Sequence, residues 1–346
     1  MGIIDQMPHV VLTAYYHAVN TNDSAQVLAW MPQLDRVAGF MRTNMSVDAS
    51  ALLTNNNPAC DGRANASCAD NWLDDVRFGF RDAIVGVYAV EAFRALGDLK
   101  QLVGDASGAA EYRALHARMV AAYNEFYWRE EDGLYADWVD ATGRARQYAY
   151  VWQQFAAIEF GVANASQAAA IVARVDALYA QIRAAYNLTE AQLWCTPTNL
   201  RPLLPEDLTL NFDNEFSYGN YENGACFHWH GGLEMLARGR VQGAEAALAR
   251  FAPLLAEFDA SRLWGQRYSW LDGGGRVEGD DVITDSAFAL YGGLLGALNV
   301  RTSLLGGLQV LGPAAAALRG ANLTLGLLGR DVRLAVVGGV VTVEPA

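Results

Sequence analysis

The chain has 346 residues, 52% of them apolar, and a formal net charge of −13. That length suits one large domain or two ordinary ones, with enough apolar residues for a sizeable core. Acidity without a basic run excludes a phosphate-tracking nucleic-acid binder and a peripheral binder of anionic lipid, and no stretch reaches the roughly 18 apolar residues of a membrane span.

The first residues, MGIIDQMPHVVLTAYYHAVN, lack the basic and apolar regions of a signal peptide. From there apolar residues recur at three- and four-residue spacing. They predict helices over 5–20, 24–44, 80–103, 108–128, 147–163, 165–186, 225–238, 241–257 and 283–299. In the fourth, Leu115, Met119, Tyr123 and Phe126 form one stripe. Long loops rich in Gly, Asn and aromatic residues separate the helices at 45–79, 129–146, 187–224 and 258–282. Loops of about 30 residues are uncommon inside a compact domain unless they carry function. The expected organisation is antiparallel helix hairpins over 1–300, with long loops at one end. A small β-rich segment follows over 301–346, where DVRLAVVGGVVTV reads as a hairpin turning at Gly338–Gly339.

Two features point to an oxidising compartment, so a secreted or organellar-lumen protein is expected. Glycosylation sequons stand at Asn22, Asn44, Asn65, Asn164, Asn187 and Asn322. In CDGRANASC, Cys60 and Cys68 bracket a short loop that a disulfide can close. Cys195 and Cys226 are too far apart in sequence to pair by inspection.

No phosphate-binding G-x-x-x-x-G-K-[ST] and no G-x-S-x-G occurs, and GGGRVEG lacks a preceding strand, so nucleotide and serine-hydrolase readings have no support. His228 and His230 form an H-x-H, which shares a face on a strand but not on a helix, and no further ligand cluster accompanies it. Neither a metal nor a cofactor is expected. Carboxylates among aromatics remain. Cleaving a glycosidic bond takes one acid to protonate the leaving oxygen and a second carboxylate to activate water or attack the sugar. Aromatic rings supply the apolar faces on which sugars stack.

The loops hold that inventory: Trp72, Asp74, Asp75 and Arg77; Trp152, Gln153 and Gln154; Trp194; Asp213, Glu215, Tyr221, Glu222, Asn223, His228 and Trp229; then Trp264, Gln266, Trp270, Asp272, Asp280 and Asp281. Such acids also serve as solvated charges or helix N-caps, which suits Asp82 and Asp285. For Asp74 and Asp75 the functional reading is preferred, because adjacent carboxylates raise one pKa of the pair, as a general acid requires.

The stretch from Asn71 to Trp128, opening NWLDDVRFGFRDA, resembles the middle of the six-hairpin glycosidases: glycogen-debranching glucosidase domains, trehalases, processing α-glucosidases and glucoamylases. YENGACFHWHGGLEMLARG resembles their Tyr-x-Asn-Gly segment at the sugar pocket. The resemblance implies an all-α (α/α)6 toroid, with Asp74 in the place of the general acid. Two departures stand out. Nine helical patterns fall short of the twelve in a toroid, so either further helices lie in irregular stretches or the toroid is incomplete. Relatives carry their second carboxylate in a later segment, and the corresponding RLWGQRYSW has Gly265 and Gln266 in place of Glu; a glutamine cannot act as a base.

The expectation is therefore an inverting glycoside hydrolase acting on an oligosaccharide or polysaccharide, with water as second substrate. Asp74 would be its acid, Glu222 the leading base, and Asp281 or Glu215 the alternatives. Asp75 and Arg77 would orient Asp74 or hold a sugar hydroxyl. Trp72, Trp152, Trp229 and Trp264 would be platforms, and Gln153, Tyr221, Asn223, His228, Gln266 and Asp281 further contacts. The competing expectations are a catalytically inactive glycan-binding toroid, a phosphorylase in which phosphate replaces the activated water, and a polysaccharide lyase using Tyr221 or His228 as base.

Overall fold

The computed structural model describes residues 4–64, 69–73, 75–189, 193, 195–208, 217–261, 267–270, 276–278 and 284–345. Ten α-helices form among them: α1 (Gln6–Thr21), α2 (Ser24–Thr43), the single turn α3 (Val47–Ser50), α4 (Ala83–Leu102), α5 (Ala106–Tyr127), α6 (Val151–Glu159), α7 (Ala165–Tyr186), α8 (His228–Gln242), α9 (Ala244–Ser261) and α10 (Thr284–Leu298). Each of the nine expected helices is present, and α3 is the addition. No helix among the described residues is long and apolar enough to cross a membrane.

Consecutive helices pack as hairpins: α1 with α2, α4 with α5, α6 with α7, α8 with α9. Burial sorts them into two layers. Every residue of α4 from Ala83 to Leu99 except Arg94 is buried, as is all of α6 from Val151 to Ile158. A helix apolar on all sides belongs inside. By contrast, α5 and α7 bury a single stripe. On α5 the last fully buried position is Tyr127, with Phe126 half-buried beside it. Along the inside, α1 packs on α4, α4 on α6, α6 on α8 and α8 on α10.

The last of these contacts is close because glycines make it. A Cβ on Gly292 would lie 2.5 Å from the Gly232 carbonyl oxygen, and one on Gly296 would lie 2.6 Å from that of Met235.

Two helices start later than their periodicity predicts, each because an earlier residue is used otherwise. α6 is expected from 147 but starts at Val151. The Asp137 carboxylate, buried behind it, accepts the backbone N–H groups of Tyr148, Ala149 (3.1 Å) and Tyr150 (3.0 Å), and Ala149 turns through φ 58°. α8 is expected from 225 but starts at His228, because Cys226–Phe227 is a short strand paired antiparallel with Arg267–Ser269. α4 begins where Asp82 caps it, accepting from the N–H groups of Ile84 (2.7 Å) and Val85 (3.2 Å), as expected. Asp285 falls inside the first turn of α10 instead of before it.

The loop regions also contain short antiparallel pairs. Trp128–Arg129 pairs with Leu134–Tyr135, and Trp138–Val139 lies between Arg81–Asp82 and Ala145–Arg146. At the C-terminus, Asn322–Leu327, Arg330–Val337 and Val340–Pro345 form a three-stranded antiparallel sheet. The expected turn at Gly338–Gly339 is present, with φ 61° and 87° and Val337 paired to Val340. Such a two-residue turn needs positive φ at both positions.

Candidate active site

The loop that carries Trp72 and Asp75 is bound tightly from behind. The Asp70 N–H donates to the Phe78 carbonyl (3.1 Å), the Trp72 N–H to Asp5 Oδ2 (3.1 Å), and the Leu73 N–H to Asn71 Oδ1 (2.8 Å). Asn71 Nδ2 donates to Asp82 and Asn55 Nδ2 to Asp70, both at 2.6 Å. Gly79 is required here because the backbone of residues 60–62 crosses it; a Cβ would lie 2.5 Å from the Cys60 carbonyl oxygen. Burial, with the Asp82 carboxylate beside it, pushes the Asp70 carboxyl well above the usual range. Burial above all, with a smaller push from the Asp5 carboxylate, raises Asp82 to about 7 against the hydrogen bonds it accepts.

Facing this loop is the Tyr221–Gly224 turn. Tyr221 adopts φ 39° and Gly224 φ 98°; a Cβ on Gly224 would meet the Tyr218 ring at 2.7 Å. Trp270 Nε1 donates to the Gly224 carbonyl (2.7 Å), and the Tyr150 hydroxyl to that of Glu222 (3.2 Å). Two residues further on, Cys226 is joined to Cys195 by a disulfide. Held this way, the buried Glu222 side chain accepts a hydrogen bond at Oε2 from the Asp75 N–H (3.1 Å). Segments 147 residues apart in sequence therefore meet at this carboxylate.

Three of the expected platforms converge. Trp72 stacks on Trp152 (centroids 5.6 Å apart) and lies 5.7 Å from Trp229, while Trp152 and Trp229 meet edge to face at 4.6 Å. Trp152 Nε1 donates to the Tyr88 hydroxyl (2.7 Å). Among them sits His230, stacked on Trp152 and 4.1 Å from Trp229. Neither of its ring nitrogens has a hydrogen-bond partner among the described residues, and burial pushes its pKa down to about 3. The three tryptophans line one end of a cavity of about 640 Å³ running between α1 and α10.

Other expected contacts point elsewhere. Gln153 is fully buried, its Nε2 donating to the Ala136 carbonyl (3.0 Å) and to Asp137 (2.9 Å). Asn223 is buried and accepts from the Leu203 N–H (3.0 Å). His228 packs edge-on against Phe258 at 5.3 Å, and burial pushes its pKa down to about 4. Half-buried Arg77 donates its backbone N–H to the Asp207 carbonyl (2.8 Å). Asp207 is in turn clamped by Arg146 (2.9 Å). Tyr221 lies half-buried, 6.1 Å from Phe227. Asp74, Trp264, Gln266 and Asp281 lie outside the described residues, as do Trp194, Asp213, Glu215, Asp272 and Asp280. Cys60 is not a free thiol, and its expected partner Cys68 also lies outside them.

Sequence reasoning missed Tyr88, Phe227 and the cavity's α1 wall. Tyr88 and Phe227 read as further apolar helical or strand positions, and the α1 wall mixes His9, Thr13 and Asn20 with apolar residues in a pattern that marks no site.

No protein-family profile matches the chain, and no curated protein does. Solved structures do. A GH78 family rhamnosidase of Bacillus sp. GL1 superposes with a TM-score of 0.58 at 16% identity, over 94% of this chain and 30% of its own. GH63 mannosylglycerate hydrolase from Thermus thermophilus, in complex with Tris, gives 0.54 at 16% identity, over 84% of this chain and 75% of its own. The same hydrolase with Tris and D-glycerate gives 0.52 at 17%, over 78% and 72%. The chain thus shares a fold with glycoside hydrolases, while spanning less than a third of the rhamnosidase.

Proposed function

We propose that the chain is an inverting glycoside hydrolase of the six-hairpin (α/α)6-toroid type, with residues 1–300 as the catalytic unit and 301–346 as an appended β segment. Asp74 protonates the leaving oxygen and Glu222 activates water on the opposite face of the sugar. Trp72 and Trp229, half-buried at the cavity end, offer ring faces to the sugar, with Trp152 behind them. Asp75 and Arg77 orient Asp74 or hold a hydroxyl. The observation that carries this reading is the Asp75 N–H···Glu222 Oε2 hydrogen bond. It ties Glu222 to the residue next to Asp74, beside a tryptophan cluster that opens on a cavity.

A secreted or lumenal setting is supported by the Cys195–Cys226 disulfide and by the exposure of the five sequon asparagines among the described residues: Asn22, Asn44, Asn164, Asn187 and Asn322.

A second reading has its own support. Glu222 is fully buried and hydrogen-bonded by a loop N–H, which also suits a carboxylate that only anchors the loop. The protein would then bind glycan without cleaving it. The deciding measurement is turnover on α- and β-linked glucosides, mannosides and rhamnosides, with and without phosphate. Asp74→Asn and Glu222→Gln should each lower kcat by about a hundredfold to ten-thousandfold with folding intact. Activity found only with phosphate would make the protein a phosphorylase. Glycan binding without turnover would establish the inactive reading.

A further inference from the structure

The cavity beside the tryptophan cluster is not built like a pocket for sugar alone. On α1 its wall is His9, Leu12, Thr13, Tyr16, Val19 and Asn20, one face of the helix extending about 16 Å at 1.5 Å per residue. Opposite stand Leu233 and Leu236 of α8 with Phe288, Tyr291 and Leu295 of α10. Trp72, Trp152 and Trp229 form one end, and Asn20, Glu159 and Arg301 the other. The charges at the far end are already engaged: Glu159 pairs with Arg240 (3.1 Å), and Arg301 Nη2 donates to the Glu159 carbonyl (3.5 Å). Between the two ends the walls are chiefly leucine, valine and aromatic carbon. Most sugar hydroxyls placed there would face carbon.

We propose that this cavity binds an extended apolar chain. Resting on the glycosidase reading for its sugar, we infer that the substrate class is glycosides with a hydrophobic aglycone, the sugar lying at the tryptophan end and the aglycone running between α1 and α10. The volume of about 640 Å³ falls in the ordinary range for small-molecule sites. The rim is open, with Tyr16 48% and Tyr291 43% exposed, so a chain can enter from solvent between the two helices.

The test is calorimetric titration with hexyl, octyl and decyl β-D-glucosides below their micelle concentrations, and with alkyl dimethylamine oxides of the same lengths. Each buried methylene should tighten Kd by up to about fourfold with both head groups. Leu295→Trp, which fills the cavity, should abolish the chain-length dependence while its thermal melt reports folding. Tyr291→Ala, at the exposed rim, should weaken the longer chains in a protein that folds normally. A Kd indifferent to chain length with both head groups overturns the proposal, and so does unchanged dependence in the two variants. Chain-length dependence with no hydrolysis of any glycoside keeps the cavity assignment and removes the glycosidase reading.

Discussion

At the scale of single residues, the loop bearing the candidate acid depends on carboxylates that do no chemistry. Asp82 caps α4 and accepts Asn71, Asp70 accepts Asn55, and Asp5 accepts the Trp72 N–H. All three are buried, and the pKa of each is raised, first of all by burial. A carboxyl raised on folding holds a proton that the unfolded chain releases. Its contribution to stability is therefore complete below about pH 4 and is lost as pH rises through the raised value, which for Asp82 is about 7. Between about pH 5 and pH 8 these carboxyls should therefore lower the urea midpoint, against the opposite contribution of His228 and His230, whose pKa values burial lowers. Asp70→Asn, which keeps an acceptor for Asn55 and removes one titrating carboxyl, should raise the pH 8 midpoint relative to the pH 5 one; an unchanged ratio would assign the carboxyl contribution to other groups. The Asp137 carboxylate has a comparable structural task at the start of α6, and Gln153 serves it there.

At the scale of elements, the short strand before α8 decides where Phe227, Trp229 and His230 point. It is held by pairing to Arg267–Ser269 and by the Cys195–Cys226 disulfide, which spans 31 residues. Closing a loop of that length removes enough unfolded-state entropy to contribute about 3–4 kcal/mol. Cys195→Ser with Cys226→Ser should lower unfolding free energy by about that amount, read by denaturant titration. It should also reduce sugar binding through the displaced Tyr221–Gly224 turn. A double variant as stable as the parent would show that strand pairing alone suffices.

At the scale of the whole molecule, the C-terminal sheet completes the helical part. The last carbonyls of an α-helix lack intrahelical donors. Those of Val19 and Asn20 in α1 accept from the Leu328 N–H (2.7 Å) and the Gly329 N–H (2.8 Å), at the tight turn between the first two strands of the sheet. That turn puts Leu328 at φ 51°, a costly place for a leucine, and a Cβ on Gly329 would lie 2.5 Å from the Thr21 carbonyl oxygen. Gly329→Ala should cost about 1–3 kcal/mol by pushing the sheet off α1. Because α1 is one wall of the cavity, the same variant should loosen binding of long alkyl chains. A thermal melt and the titration above, run on one preparation, measure both.

The sequence by itself determined the nine long helices, the Asp82 cap and the Gly338–Gly339 turn. Each rests on spacing or turn chemistry within a few residues, which a chain reports locally. Shared fold with glycoside hydrolases was legible too, through NWLDD and YENG. Contacts between distant segments were not. Only the tertiary structure brought Glu222 to Asp75, joined Cys195 to Cys226, turned Gln153 and Asn223 inward, and gathered Trp72, Trp152 and Trp229 around His230. The reason is physical. Periodicity shows which face of a helix is apolar. Whether that face meets another helix or borders a cavity depends on how closely the backbones approach, and here glycines between α8 and α10 and a turn docked on α1 set that distance.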